Sequence, residues 1–301
     1  MKHFHPGVIA FRLAQKHPSI ARIGLGVVAQ PYIALRRRPP HLFDYIAGSI
    51  GYLAKVNATL GNGMKIRVVW NDTGGCGHEI WRSGWYEPQT VKVIADLLQP
   101  GMTFFDVGAN MGQYTLLAAG KSCNVHSFEP APAMFEFLNE NVQPVKERVR
   151  INKIALSNTE EPVTLFMAKP HNVGATSFTD QNCASGETFE VPCTTVDNYV
   201  EKNEITSVDV MKMDVEGAES AVLKGAAKLL SGPNPPAIVL EYEESAQQRF
   251  GSSNAEMTSL LTANGYRLER ITDQGVIPYV PKDPEDFSFN VLARPPASAS
   301  L

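Results

Sequence analysis

A chain of 301 residues, 44% hydrophobic and 19% charged, carries enough apolar material for one large folded domain with an extension. Its formal net charge of −4 gives no basic face for a general nucleic-acid binder, so no nucleic-acid partner is expected. The four cysteines, Cys76, Cys123, Cys183 and Cys193, form no C-x-x-C pair and no zinc-ligand spacing; they read as free thiols in a reducing, cytoplasmic setting, with a Cys183 to Cys193 bridge as the less favoured alternative.

Residues 1–63 form an N-terminal extension in which Pro, Gly and Arg interrupt each apolar run. Ile20 to Leu35 is broken by Arg22, Gln30 and Pro31, which argues against a membrane span, and its position and flanks do not match a secretory signal. The extension is expected to be helical and to pack on the main domain or on a second copy of the chain. The cluster Arg36-Arg37-Arg38 offers a peripheral membrane contact as the alternative. The main domain is expected over 64–295 and a frayed tail over 296–301. Lys65 to Trp70, a turn at Asn71 to Gly75 and a following strand predict a β hairpin over 64–81. Pro88 opens a helix whose apolar face is Val91, Ile94, Ala95 and Leu98.

The segment Gly101 to Gly120 reads as strand, glycine turn and helix: Met102 to Val107, Gly108 to Gly112, then Gln113 onward. In an open parallel sheet, ligands bind beyond the carboxyl ends of the strands, and glycines let the backbone approach them. The turn lacks the middle glycine of G-x-G-x-x-G, where Asn110 stands instead. Asp106 is expected to put a carboxylate where a pyrophosphate would lie. A cationic cofactor without phosphate, S-adenosylmethionine, therefore fits better than NAD. Glu129, about 20 residues beyond the turn and at the end of the strand Asn124 to Phe128, has the spacing of an acid that hydrogen-bonds ribose hydroxyls. Pro130 then starts a helix over Ala131 to Asn141.

Val149 to Leu156 forms another apolar strand, ending at Ser157, near the expected place of an adenine ring. Strands at Val163 to Met167 and Phe189 to Cys193 flank a long polar loop, Lys169 to Glu187, read as a lid carrying His171. Val208 to Met213 ends in Asp214-Val-Glu-Gly-Ala-Glu219, and Ala237 to Leu240 ends in Glu241. A helix over Asn254 to Ala263 and strands at Tyr266 to Ile271 and Phe287 to Leu292 complete an α/β pattern. Asp214 is the favoured proton acceptor, with Glu216 and His171 as further catalytic candidates. A Mg²⁺ ion held by Asp214, Glu216 and Glu241 is the less favoured alternative.

Several stretches together resemble the FkbM family of S-adenosylmethionine-dependent methyltransferases. They are Tyr86-Glu-Pro88, Asp106-Val-Gly-Ala-Asn-Met-Gly112, Phe128-Glu-Pro130, Ala155-Leu-Ser157, Lys212-Met-Asp-Val-Glu-Gly-Ala-Glu219 and Leu240-Glu241. The resemblance implies a Rossmann-like class I methyltransferase fold with a seven-stranded, mostly parallel sheet, an antiparallel last strand and helices on both faces. It also implies S-adenosylmethionine bound by Glu87, Asp106, Gly108, Ala109, Asn110, Gly112, Glu129, Pro130, Ala155, Ser157 and Asp214. The implied reaction is methyl transfer to a hydroxyl of a sugar, glycan or natural product. An NAD-linked oxidoreductase and a non-catalytic binding module are the competing classes, and the retained acids Asp106, Glu129 and Asp214 weigh against the second.

Overall fold

The computed structural model describes residues 55–69, 75–166, 188–281 and 288–296. Most of the expected extension, the loop over 169–187 with His171, and the tail beyond 296 lie outside the described residues.

Strands β1 (Lys55–Thr59) and β2 (Lys65–Val69) pair antiparallel, with Val56, Ala58, Ile66 and Val68 turned inward. The hairpin is thus built with the strand that precedes Lys65, not with one that follows it. The segment expected to be its second strand is instead helix α1 (Cys76–Ser83). Gly77 explains the close fit of this helix: a β-carbon there would meet the Val69 carbonyl oxygen at 2.0 Å. Helix α2 (Pro88–Leu97) buries Val91 and Ile94, as the apolar spacing predicts, and Leu98 at its carboxyl end is buried with them.

The main sheet is assembled from β3 (Thr103–Val107), β4 (Asn124–Phe128), β5 (Val149–Asn152), β10 (Val210–Met213), β11 (Ala237–Tyr242), β12 (Arg267–Thr272), β13 (Gly275–Pro278) and β14 (Phe289–Arg294). Its order is β13-β12-β14-β11-β10-β3-β4-β5. The run from β11 to β5 is parallel, and β14 lies antiparallel between β11 and β12. There are eight strands and not seven. The extra one, β13, arises because Gly275, at φ 114°, lets the chain turn back after Thr272, whose Oγ1 donates to the Gly275 carbonyl. The expected strand over 149–156 divides into β5 and the short β6 (Ala155–Leu156). β6 leaves the main sheet to pair with β9 (Cys193–Thr194), while β7 (Val163–Phe166) pairs with β8 (Thr188–Val191). Cys193 is a free thiol.

Helices α3 (Gln113–Gly120) and α2 cover one face of the sheet, packing Tyr114, Leu117 and Ile94 on Phe104, Val125, Val239 and Leu292. On the other face lie α5 (Val196–Lys202), α6 (Glu219–Lys224), α7 (Ala227–Ser231) and α9 (Asn254–Ala263), over Phe105, Met211, Met213, Ile238 and Leu240. Burial on both faces is why these strands read as continuous apolar runs. Ser253 caps α9 by accepting the Glu256 amide at 3.1 Å, and Thr195 caps α5 through the Asn198 amide at 3.1 Å. Helix α4 (Pro132–Val142) packs Met134 and Phe137 against the hairpin. Its Asn141 donates to the carbonyls of Arg67 and Met111 and accepts from the Arg67 amide. Helix α8 (Glu244–Arg249) follows β11 directly.

Phe105 is fully buried against Phe128, His126 and Tyr199. Phe105→Ala is expected to destabilise the protein by about 3 to 5 kcal/mol, read as a lower urea midpoint with an unchanged slope.

Candidate active site

The strand order turns at the β3–β10 junction: β4 and β5 lie on one side and β11 on the other. At that junction a cavity of about 450 Å³ opens beyond the carboxyl ends of the strands, within the size range of small-molecule sites. The glycine turn forms its floor. The amides of Gly108 and Ala109 both donate to the Phe128 carbonyl at 3.0 Å, and the Asp214 amide donates to the Val107 carbonyl at 3.0 Å. A β-carbon on Gly108, at φ 81°, would come within 1.9 Å of the Asp214 carbonyl oxygen, so only glycine lets the two loops meet.

Glu129 lines the cavity and is otherwise buried; its Oε2 accepts the Asn110 amide and its Oε1 the Ala131 amide, each at 2.8 Å. Burial pushes its carboxyl up to about 7, against the pull of those two amides. A carboxylate has about four acceptor sites, so two remain for a ligand's hydroxyls. Near Glu129 the wall is apolar, formed by Met134, Ile154, Ala155, Leu156 and Leu165.

The other end is acidic. Glu87, Asp214, Glu216, Glu241 and Glu243 all line it. Beneath them Lys212 is fully buried, with Nζ 3.7 Å from Asp214 Oδ2 and donating to the Met213 carbonyl and to Asn290 Oδ1. Burial alone would lower Lys212, but Asp214, Glu87 and Glu241 outweigh it and hold the ammonium above its usual range. Asn290 also donates to Glu87 Oε1 at 2.8 Å, and the Tyr114 hydroxyl donates to Glu87 Oε2 at 2.9 Å. Glu241, reached by Ser288, is pushed up to about 8 by burial and then by Asp214. Burial, Asp214 and Glu241 raise Glu216 well above the carboxylate range. Glu219 is turned inward to accept the Val215 and Gly217 amides and the Gln247 side chain, which makes it the brace of the 214–218 turn.

Of the residues expected to form the site, Glu87, Gly108, Ala109, Asn110, Glu129, Pro130, Ala155, Asp214, Glu216 and Glu241 line one cavity. Asp106, Gly112 and Ser157 do not. Asp106 points into the core, where its Oδ2 accepts from Thr115 Oγ1 at 2.5 Å and its Oδ1 has no partner among the described residues; burial raises it to about 6. The expected clash between Asp106 and a pyrophosphate therefore does not arise. Gly112, at φ 95°, shapes the start of α3. Ser157 is buried, its amide bonded to the Thr194 carbonyl. Among the described residues no group of three or more His, Cys, Asp and Glu side chains is placed to hold a metal ion. Sequence reasoning missed Asn290 and Tyr114. The signal for Asn290 is a lone amide inside the apolar run Phe289 to Ala293, where a buried polar group needs partners.

Glycine turn, acid-tipped second strand, switch-point cavity and antiparallel β14 define a Rossmann-like class I methyltransferase fold. Residues 106–268 match the Methyltransferase FkbM domain, and the chain belongs to that family. It is 29% identical over 165 residues to the hexuronic acid methyltransferase AglP of Haloferax volcanii, covering 52% of this chain and 64% of that protein. It is 30% identical over 202 residues to the 31-O-demethyl-FK506 methyltransferase FkbM of Streptomyces tacrolimicus, covering 57% and 75%. The chain thus spans just under two thirds of the length of the Haloferax relative. An rRNA methylase structure from Streptococcus thermophilus aligns at a TM-score of 0.41 with 11% identity, over 69% of this chain and 95% of that one. Among the described residues no helix is long and apolar enough to cross a membrane.

The buried acids carry a pH signature. Glu129 and Glu241 hold protons in the folded state up to about pH 7 and 8, whereas unfolded they release them near 4.5. The native state then binds more protons, so their contribution to stability is complete below 4.5 and is lost as pH rises through 7 and 8. His126, lowered to about 4 by burial, opposes this below its unfolded value of 6.5 and is silent above it. Urea midpoints are therefore expected to fall between pH 6.5 and 8, and Glu241→Gln should flatten the upper part of that fall.

Proposed function

We propose that this chain transfers the methyl group of S-adenosylmethionine to a hydroxyl of a sugar, glycan or natural-product acceptor. The observation that carries the cofactor assignment is Glu129: a carboxylate fixed by two backbone amides, with spare acceptor sites, between the glycine turn and an apolar wall. Glu129 would hold the ribose hydroxyls, Ile154 and Leu156 would flank the base, and the turn from Gly108 to Asn110 would face the amino-acid portion. Asn110 Oδ1, buried in this wall without a partner among the described residues, is an acceptor suited to a donor from the cofactor. The acidic end suits a sulfonium and disfavours the pyrophosphate of NAD.

Bound there, S-adenosylmethionine would supply an already activated methyl electrophile. The protein's part is then to align the acceptor and to remove its hydroxyl proton. Asp214 is the residue we assign to the proton: it lines the cavity at the end of β10, with Lys212 Nζ 3.7 Å from its Oδ2. The names of the two relatives, a hexuronic acid methyltransferase and a 31-O-demethyl-FK506 methyltransferase, support an oxygen acceptor on a sugar or natural product.

Glu129→Ala is expected to weaken binding of S-adenosylhomocysteine by about 1.5 to 3 kcal/mol in calorimetry; unchanged affinity would remove Glu129 from the site. Asp214→Asn is expected to cost about 10²-fold or more in turnover while leaving cofactor affinity nearly intact. A loss confined to cofactor affinity would take the base role away from Asp214.

A further inference from the structure

The carboxylates at the acidic end are not equally provided for. Glu87 receives Tyr114 and Asn290, Asp214 sits beside Lys212, and Glu243 faces Arg249 at 3.9 Å. Among the described residues Glu241 receives only the Ser288 hydroxyl. Glu216 lines the cavity with no hydrogen bond or ion pair from any described residue.

Its backbone is also strained. Among the described residues five non-glycine positions have positive φ, and three of them, Glu87, Asn110 and Glu216, line this cavity. Glu216 is held at φ 56°, a conformation that is costly for a side-chain-bearing residue and that persists where surrounding structure enforces it. Here Glu219 provides the enforcement through the flanking amides of Val215 and Gly217. The fold thus presents an unpartnered carboxylate to the cavity at a conformational cost.

S-adenosylmethionine brings one net positive charge, from a sulfonium, an ammonium and a carboxylate. That charge, Lys212 beside Asp214 and Arg249 beside Glu243 answer three of the five acids, and Glu216 and Glu241 are left without an ion-pair partner among the described residues, their carboxyls raised by burial. We infer that the acceptor bears a protonated amine close to its reacting hydroxyl, and that Glu216 and Glu241 bind this ammonium. The inference rests on the methyl-transfer function proposed above. An ammonium between the two carboxyl groups favours their ionised forms, so protons they hold leave as the cation arrives, and the cation replaces the solvation the carboxylates lack. An acidic sugar, such as a hexuronic acid, meets the same field with the wrong sign, so this site differs in acceptor charge from what the Haloferax relative's name implies.

The test uses the full chain saturated with S-adenosylhomocysteine, with glucosamine, glucose and glucuronate as probes near pH 7 and binding read by ligand-observed NMR. Glucosamine is expected to bind at least 10-fold tighter than either of the others, and the double variant Glu216→Gln, Glu241→Gln should abolish that preference. No preference for glucosamine, tighter binding of glucuronate, or a preference that survives in the double variant overturns the inference and leaves the proposed function standing. If the double variant instead loses S-adenosylhomocysteine, the acids serve the cofactor and the inference falls. If the unaltered chain does not bind S-adenosylhomocysteine, the proposed function falls with it.

Discussion

The carbonyl oxygen of Asp214 lies so close to the α-carbon of Gly108 that no β-carbon fits between them. This contact joins the ends of β3 and β10 where the winding of the sheet reverses direction, and the cavity opens above it. Because the Val107 carbonyl and the Asp214 amide pair across the same junction, the glycine turn and the acidic loop are fixed relative to one another by backbone alone. Side chains on either loop can then differ without moving the floor of the site. That separation suits a family whose two relatives described above carry names with different acceptors.

Under the floor, Lys212 solves an electrostatic problem that the acids create. Five carboxylates around one cavity cannot all ionise without a counter-charge, and a buried lysine needs carboxylates near it to stay protonated. The two requirements meet through Asn290, whose amide accepts from Lys212 and donates to Glu87. The acidic end of the cavity is thus tied to β14, the antiparallel strand, as well as to the parallel strand β10.

Much of this arrangement was legible in the residues. Helix α9 runs over Asn254–Ala263, the bounds expected from the sequence, and the strand, turn and helix from Thr103 to Gly120 fall where glycine chemistry puts them. The failures have physical causes. β1 offers only Val56 and Ala58 as inward residues, too weak an alternation to see beside prolines and glycines. α1 lacks a side-chain cap, follows Gly75 and holds Gly77 in its first turn, so its period is hidden until Ile80 is seen buried. β11 continues through Glu241 to Tyr242 because β14 pairs with both, a long-range partnership that no local pattern of acids announces. Asp106 was read as a ligand contact from its place beside the turn; strand alternation and the Thr115 hydroxyl send it inward instead.

Asn141 has a consequence for how this part of the molecule comes apart. One side chain satisfies both backbone groups of Arg67 in the hairpin and the Met111 carbonyl in the glycine turn. Peeling the hairpin away would strand buried polar groups in three segments at once, so hairpin, turn and α4 are bound to open as a single cooperative unit. A ligand that holds the turn would then slow hydrogen exchange in β2, a strand none of whose residues lines the cavity.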